Sequence, residues 1–585
     1  MMTDPVAGGP IHPTSVGGVL GRALLAWMVT FAPAYATPGV QAAPTEVRQA
    51  NLSLGERIYR EGVLPSGKPV RAMVEGDIPV DGRMLTCASC HLMSGLGSDE
   101  GSVVTPPVSA SYLFKPLARG VRSPFQFMPN ASARETPPPD FDSGFLRPAY
   151  TAETLARAIR TGINPVGREL DDIMPRFDLD DGAMAELISY LEQLSPRYSP
   201  GVSSTTLKFA TVISDGVPPE NRDAMLTVLR AYIETKNAQP RHQRRRAAAG
   251  PFYRREVETS YRDLELVVWK LTGPPDSWSA QLRRYNSEQP VFALLGGMVA
   301  GDWHPVHKFC EDNKLPALFP LTDDPAVSEH NWYTLYFSKG VVQEAEAAAR
   351  YLRTLRGVGP QAKITQIYRR DERGAQAARS FEETWKALGG NPTSVKVLAA
   401  HEKLTAAVIE ELLASQGPAP VLLWLGRQDI ASLSGLSSAS HQPQLLMVSY
   451  GLLEKDLAII PDEIRDITLI TYPNALSADK ERPLLAVRSW LETREITTDD
   501  IEIPAKMYFL GWMLSGVLME MRNDFYSDYF LDTMDMMPDQ DYAVAVYPRL
   551  SFGPGQRYAS KGCYIVRLTR GKNPRIVKES DWVVQ

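Results

Sequence analysis

The spacing of apolar residues gives residues 43–194 a helical character. Three segments carry helical patterns: about Ser53–Glu61, Ala152–Thr161 and Asp181–Leu194. The last segment has apolar residues at spacings of 3, 1 and 3, at Met184, Leu187, Ile188 and Leu191. This spacing places them on one face of a helix. The Pro-dense stretches between these segments indicate loops, so we expect a small all-α domain.

From about Thr206 the pattern changes to short β-rich runs that alternate with amphipathic segments. The predicted strands are Leu207–Ile213, Leu264–Leu271, Val291–Leu295, Trp332–Phe337, Lys363–Tyr368, Ser394–Leu398, Val421–Leu425, Leu445–Val448 and Ile467–Tyr472. The predicted helices between them include Asp223–Lys236, Val341–Leu355, Ala375–Leu388 and Thr405–Ser415. This alternation predicts parallel sheets covered by helices. Because residues 205–585 exceed one ordinary sheet, we expect two α/β lobes, joined to the first domain by a linker at residues 195–204.

The first residues have the pattern of an export signal. Arg22 precedes the apolar run 23–32, and the small residues Ala34 and Ala36 follow it. These features predict a signal peptide over residues 1–42, cleaved near residue 36 or 42, and a periplasmic protein. The apolar run is short for a membrane span. We therefore expect no transmembrane span after cleavage, although an uncleaved anchor is the alternative.

Charge and cysteine content limit the remaining chemistry. The net charge of −6 and the pI of about 5.9 argue against nucleic acid as a partner. The four cysteines are Cys87, Cys90, Cys310 and Cys563. An exported protein can form disulfides, but the sequence leaves open whether Cys310 and Cys563 form a bridge or remain buried thiols.

The strongest motif is Cys87-Ala-Ser-Cys90-His91. Two thiols on one turn can each add to a haem vinyl group, and the next residue supplies an imidazole for the iron. A zinc site would need further ligands, but residues 43–200 contain no other Cys or His. A redox C-x-x-C does not need the adjacent His. The motif therefore predicts one covalent haem c, with His91 as the proximal ligand.

The sixth ligand of this haem must be something other than histidine, and a methionine thioether is the expected choice. Met128 and Met174 both lie in loops, each directly before a proline. Proline makes the approach of such a loop rigid. The residues alone leave both candidates open.

Two stretches resemble the class I cytochromes c. One is 172–191, with Met174-Pro175, an acidic helix start at Asp180 and the pair Tyr190-Leu191; the other is Leu54–Tyr59. The resemblance implies that the first helix crosses the last, that Met174 is the distal ligand and that the domain transfers single electrons. The long Pro-rich segment Gly95–Pro148 departs from the family, so it stays open whether the carbonyl of Pro106 or Pro107 orients His91.

The α/β region resembles the type I periplasmic solute-binding proteins, the branched-chain amino-acid receptors of ABC importers. The stretches that carry this resemblance are Leu207–Ile213, Val291–Gly297, Asn313–Pro320 and Tyr336–Ala347. It implies two Rossmann-like lobes joined by hinge strands, with a small ligand bound in the cleft between them. Closure of the lobes around the ligand is the expected motion.

The loop after the strand at 291–297 holds the candidate ligand residues. In the resembled family, Ser/Thr groups of this loop hold the ligand carboxylate, but here Asp302, Trp303 and His304 stand in their place. With Ser338 they are the predicted cleft residues, and they would suit an aromatic or cationic molecule better than a free amino acid. The alternative is that they cap and pack the following helix.

Three functions follow from these patterns. The first is a mono-haem electron-transfer protein whose solute-binding module binds a small ligand or docks a redox partner, such as a periplasmic dehydrogenase or another cytochrome. The second is an importer-type receptor with the haem as a redox sensor. The third, a dehydrogenase subunit, is disfavoured because the α/β part shows no catalytic constellation; no catalytic residue is predicted.

Overall fold

A computed structural model describes residues 52–75, 78–100, 103–118, 145–195, 198–248, 262–326, 328, 331–370, 372–537, 545–553 and 555–584. The expected signal segment 1–42 and the candidate ligand Met128 lie outside these ranges. The span Leu52–Gln585 is one compact unit. Among the described residues, no helix has the length and apolar character needed to cross a bilayer.

The N-terminal part combines helices with short strands. The helices are α1 (Leu54–Glu61), α2 (Cys87–His91), α3 (Ala110–Leu113), α4 (Ala152–Thr161) and α5 (Asp181–Gln193). The strands are β1 (Arg71–Val74), β2 (Ile78–Asp81), β3 (Ser98–Glu100), β4 (Val103–Thr105), β5 (Leu117–Ala118), β6 (Phe145–Arg147) and β7 (Arg176–Asp178). Their antiparallel sheets have the orders β2-β1-β7, β3-β4 and β5-β6. The expectation of an all-α domain is therefore wrong, because strands of two to four residues are too short to show a period in the sequence.

Helices α1 and α5 cross at a glycine. A Cβ atom on Gly55 would lie 2.1 Å from the carbonyl oxygen of Glu186 and 2.8 Å from the Cβ of Tyr190. The rings of Tyr59 and Tyr190 pack beside this crossing, with their centroids 5.4 Å apart. The apolar stripe of α5, including Met184 and Leu187, is buried against α1 and α4. The crossing of the first and last helices is thus present, and it depends on a residue without a side chain.

The first α/β sheet follows directly. Its elements are β8 (Thr206–Ser214), α6 (Pro219–Ala248), β9 (Asp263–Leu271), α7 (Trp278–Glu288), β10 (Ala293–Leu295), α8 (His304–Asp312), β11 (Ala317–Leu318) and β12 (Thr334–Leu335). All strands run parallel in the order β12-β11-β10-β8-β9. The predicted parallel sheet is confirmed, with β11 added between Pro316 and Pro320.

The second sheet is mixed. Its elements are α9 (Val341–Thr354), β13 (Thr365–Arg369), α10 (Glu372–Ala387), β14 (Ser394–Leu398), α11 (Ala406–Gln416), β15 (Pro420–Trp424), α12 (Arg427–Ala431), β16 (Leu445–Ser449), β17 (Thr468–Tyr472), α13 (Ser477–Glu492), α14 (Glu502–Met521), α15 (Ser527–Asp535), β18 (Gly562–Leu568), β19 (Ile576–Lys578) and β20 (Val583–Val584). Short 3₁₀ turns occur at Pro275–Ser277, Ser434–Ser438, Leu457–Ile459 and Asp462–Ile467. The order is β14-β13-β15-β16-β17-β18-β19, and β20 pairs with β18. The strands are parallel up to β17 and antiparallel beyond it.

The chain returns from the second sheet to the first through α14 and α15. Their apolar faces belong to the same core as strands β8 and β10, and the rings of Phe292 and Phe530 lie 5.2 Å apart. The expected linker is held against this part: the Ser199 amide donates to the carbonyl of Phe525 at 3.1 Å. Cys310 and Cys563 are free, buried thiols that lie in separate parts of the fold.

Candidate functional site

The motif Cys87–His91 forms a single-turn helix. Its start is capped by Thr86, whose Oγ1 accepts a hydrogen bond from the Ser89 amide at 3.1 Å. Helical geometry brings both thiols to one turn, as covalent attachment to a flat group requires. Cys87 is half-buried and faces an apolar cavity, whereas Cys90 is exposed. One thiol of the pair therefore lies in the wall of a cavity and the other at the surface.

The His91 imidazole is oriented by a backbone carbonyl. Its Nδ1 lies 2.8 Å from the carbonyl oxygen of Pro106, one of the two prolines that the sequence left open. Because a carbonyl only accepts, Nδ1 carries the hydrogen, and the lone pair of Nε2 stays free for a metal. Burial also lowers the pKa of His91, which keeps the ring neutral. Within the described residues, no cluster of three His, Cys, Asp or Glu side chains could hold a metal ion by itself.

The cavity beside His91 has a volume of about 210 Å³. It is lined mainly by apolar and aromatic side chains, including Tyr59, Leu113, Leu155, Ile159, Leu187 and Leu191. One water molecule needs about 10–15 Å³, so the cavity has room for a group much larger than water. Its wall also contains the thiol of Cys87, the imidazole of His91 and the thioether of Met174. These donors and this wall fit a haem.

Met174 reaches the cavity from a rigid loop. Its amide donates to the carbonyl of Asp171 at 3.1 Å. The guanidinium of Arg176 donates to the carbonyl oxygens of both Met174 and Leu170. Met174 is half-buried, and α5 begins a few residues after this loop. The loop is therefore fixed on both sides of the sulfur-bearing residue.

Three of the four predicted cleft residues do not line the cleft between the sheets. Trp303 is 0% exposed and packs in the core against Gly297. The carboxylate of Asp302 accepts from the His304 amide at 2.8 Å and contacts the ring Nδ1 of His304 at 2.6 Å. The first contact caps α8 from one residue before its N-cap Trp303: it satisfies the amide of the first helical residue, which has no partner within the helix. The assignment of Asp302, Trp303 and His304 to the cleft is thus corrected; Ser338 does line it.

The capping role of Asp302 gives a direct test. We expect Asp302→Ala to lower the free energy of unfolding by about 1 kcal/mol, because it removes the hydrogen-bond acceptor of the first helical amide. Asp302→Asn keeps an acceptor, so its free energy of unfolding should fall by about half as much or less. Urea denaturation of both variants measures the difference, and a loss restricted to ligand binding would contradict the capping role.

The cleft itself lies at the carboxyl ends of strands from both sheets and has a volume of about 400 Å³. From the first sheet, the segments after β10 and β12 contribute Met298–Ala300 and Tyr336–Ser338. From the second sheet, the segments after β16 and β17 contribute Tyr450, Gly451 and Asn474. Ligands of open α/β sheets bind at this end of the strands.

Charged groups from α14 and its surroundings line one wall of the cleft. The Glu502 carboxylate lies 2.7 Å from the ammonium of Lys506 and 2.9 Å from that of Lys455. Burial alone would raise the pKa of Glu502, but the two ammonium groups outweigh it and lower this pKa to about 2. Lys506 also lies over the rings of Phe337 and Tyr547, at 5.8 and 5.4 Å. This wall is therefore charged, aromatic and rigid.

A buried carboxylate lines the cleft from α9. Glu344 accepts hydrogen bonds from the Gly451 amide at 2.9 Å and from the Thr471 hydroxyl at 2.6 Å. It is only 2% exposed, and burial raises its pKa to about 7. Arg373 also lines the cleft and donates to the Gly451 carbonyl at 3.2 Å. Sequence reasoning missed Glu344 because a glutamate in an amphipathic helix has the pattern of a solvated residue.

Comparisons with known proteins reveal similarity of structure only. No protein-family model matches the chain, and no curated protein matches it. Among solved structures, an ABC transporter substrate-binding protein from Sphaerobacter thermophilus has 13% identity and a TM-score of 0.45, covering 65% of this chain and 98% of that one. A type 1 periplasmic binding protein from Bordetella pertussis Tohama I has 13% identity and a TM-score of 0.43, covering 64% and 100%. A leucine binding protein from Thermotoga maritima MSB8 has 13% identity and a TM-score of 0.40, covering 64% and 98%. At these identities none of them assigns a ligand to this chain.

Proposed function

We propose that this chain is a periplasmic protein that carries one covalent haem c in its N-terminal part and binds a small ligand in the cleft of its α/β part. The observation that carries the haem assignment is a single apolar cavity lined by Cys87, His91 and Met174, with the His91 ring fixed by the Pro106 carbonyl. Haem, when bound, supplies a one-electron couple for exchange with a redox partner protein.

The residues of the chain have distinct tasks in this proposal. Cys87 and Cys90 would attach the group, while the imidazole of His91 and the thioether of Met174 would hold its iron. The Pro106 carbonyl fixes the tautomer and orientation of the imidazole. The apolar wall would exclude water, and with an imidazole and a thioether both holding the iron, the chemistry that the group would supply is electron transfer. The N-terminal part is therefore a carrier rather than a catalytic centre.

Haem attachment is tested on the full chain, produced with a working cytochrome c maturation system. We expect a Soret band and the added mass of one haem, both retained after denaturation. The double variant Cys87→Ser/Cys90→Ser should lose the covalent haem, whereas Ser89→Ala, which changes a side chain of the same turn, should keep it. Met174→Leu should keep the attachment but change the axial-ligand spectrum. Wild-type protein without any bound haem would refute the assignment.

A specific observation also favours ligand binding in the α/β part. The cleft collects charged groups, Glu344, Arg373 and Lys506, and aromatic groups, Tyr450 and Tyr547, at the carboxyl ends of two sheets. Such a mixture of apolar surface and a few directed polar groups is typical of small-molecule sites. A receptor that binds a small ligand in this cleft is then better supported than an α/β part that only docks a redox partner. A thermal-shift screen of the haem-loaded full chain against small metabolites tests this, since a bound ligand raises the melting temperature.

A further inference from the structure

Helix α15, which belongs to the α/β part, carries three aspartates on one face. Asp528, Asp532 and Asp535 are spaced by 4 and 3 residues, which places them along a single stripe. All three lie at contacts with other parts of the chain, and Asp532 is only 4% exposed. Buried carboxylates need hydrogen-bond or charge partners, so the partners of these three aspartates show which segments the helix contacts.

Asp532 holds the segment that follows His91. One of its oxygens accepts from the Met93 amide at 3.2 Å, and the other accepts from the Ser94 amide at 2.9 Å. Leu96 is fully buried in the same apolar core as Phe530 of α15. The segment after the attachment helix is thus anchored outside the N-terminal part.

The backbone at the start of this segment needs an anchor. Leu92, the residue directly after His91, has a φ of 64°, a conformation that non-glycine residues rarely adopt. Its carbonyl accepts from the Tyr59 hydroxyl at 2.7 Å. Strained backbone persists only where its surroundings hold it. Tyr59 holds Leu92 from one side, and Asp532 holds the next two residues from the other.

Asp528 ties the same helix to the cleft. Its carboxylate accepts from the Trp332 indole at 3.2 Å and from the Tyr333 hydroxyl at 2.8 Å. These residues directly precede β12, whose end contributes Tyr336–Ser338 to the cleft. Asp528 also pairs with Arg60 of α1 at 3.0 Å. One helix therefore contacts α1, the segment after His91 and a strand that ends in the cleft.

We infer that α15 supports the proposed haem site from outside its cavity: Asp532 is a positioning residue that fixes the segment after His91 and tunes the haem potential from the α/β part. The inference rests on the proposed haem attachment. A carboxylate bonded to the amides two and three residues after His91 would favour the oxidised form of a bound haem, which carries one more positive charge. Removing that charge should therefore favour the reduced form.

The potential of the haem-loaded full chain tests this inference. At pH 8, above the pKa of about 7 to which burial raises Asp532, we expect Asp532→Asn to raise the potential. The ratio of reduced to oxidised haem should rise at least about threefold, where 59 mV corresponds to tenfold for one electron. Asp466→Asn removes an exposed carboxylate paired with Arg570 and serves as the charge-matched control. A smaller change in Asp532→Asn, a lowered potential, or an equal rise in the control overturns the inference.

Hydrogen exchange on the wild-type chain provides a measurement that needs no variant. The amides of Met93 and Ser94 should be protected to the same degree as those of Phe530 and Leu531 in α15, because Asp532 links the two segments. Protection more than about tenfold weaker at Met93 and Ser94 would overturn the inference. Absence of haem from the protein refutes the proposed function instead, and the exchange experiment still tests the anchoring of the segment.

Discussion

Replacing Gly55 with alanine should destabilise the protein by about 3 kcal/mol, the upper end of the cost of adding a carbon to a packed interior. The new Cβ would lie 2.1 Å from the Glu186 carbonyl oxygen and 2.7 Å from its carbonyl carbon. Backbone atoms in the middle of a helix cannot rotate away as a flexible side chain can. Helices α1 and α5 must therefore separate, and the Tyr59–Tyr190 contact must loosen with them.

The matched control for this change is Gly182→Ala in α5. The nearest atom to a Cβ at Gly182 is an Asp180 carboxylate oxygen at 3.4 Å, an ordinary contact. Alanine is the better helix former by up to about 1 kcal/mol, so this variant should be neutral or slightly stabilised. Chemical denaturation of the haem-loaded protein measures both changes. Equal stabilities of the two variants would show that the crossing is not tight at Gly55.

Because α1 and α5 enclose the cavity beside Cys87, the same change should also disturb the environment of the proposed haem. Tyr59 from α1 and Leu187 and Leu191 from α5 line that cavity. A shift of the Soret band in Gly55→Ala, absent in Gly182→Ala, would connect the helix crossing with the site.

The sequence predicted those elements whose pattern is long enough to show a period. Strand β8, predicted at Leu207–Ile213, extends over Thr206–Ser214, and β14 has the predicted bounds Ser394–Leu398. Strand β11 was missed because it has two residues, Ala317 and Leu318, enclosed by prolines. The antiparallel strands after β17 were missed because the alternation of strands and helices ends before them. The pattern within a segment therefore predicts most strands and helices of the sheets, but not the antiparallel strands that complete the second sheet.

The candidate site residues show the same difference between local pattern and tertiary structure. Cys87, Cys90 and His91 are adjacent in sequence, so their chemistry is visible without the fold. The cleft residues are distant in sequence: Glu344 meets Gly451 and Thr471 only because α9 packs beside β16 and β17. The sequence placed Trp303 in the cleft because a tryptophan in a loop after a strand has the same sequence pattern whether its ring faces a ligand or the core. Its burial is a property of the tertiary structure.

Glu344 should give the protein a pH dependence that a glutamine at this position removes. Its pKa of about 7 lies above the ordinary value of 4.5 because burial disfavours the carboxylate. The folded protein thus binds this proton more tightly than the unfolded chain. The resulting stabilisation is complete below about pH 4.5 and is lost as the pH rises through about 7, for a total on the order of 3 kcal/mol.

We expect Glu344→Gln to escape this loss. The amide oxygen can accept from the Gly451 amide, and the amide nitrogen can donate to Thr471, whose hydroxyl also lies 3.3 Å from the Val448 carbonyl. As the pH rises from 5 to 8, the free energy of unfolding of the variant should therefore increase by about 2–3 kcal/mol relative to that of the wild type. Other buried carboxylates with raised pKa values, such as Asp532 and Asp535, are present in both proteins, so the difference isolates Glu344.

Urea denaturation at both pH values measures this difference. Glu454→Gln removes an exposed carboxylate of the same cleft and controls for the change in cleft charge. A stability difference between Glu344→Gln and the wild type that does not change with pH would mean that Glu344 is ionised throughout, with a cation or water compensating it in the cleft. In that case the cleft would be more polar than its buried wall indicates.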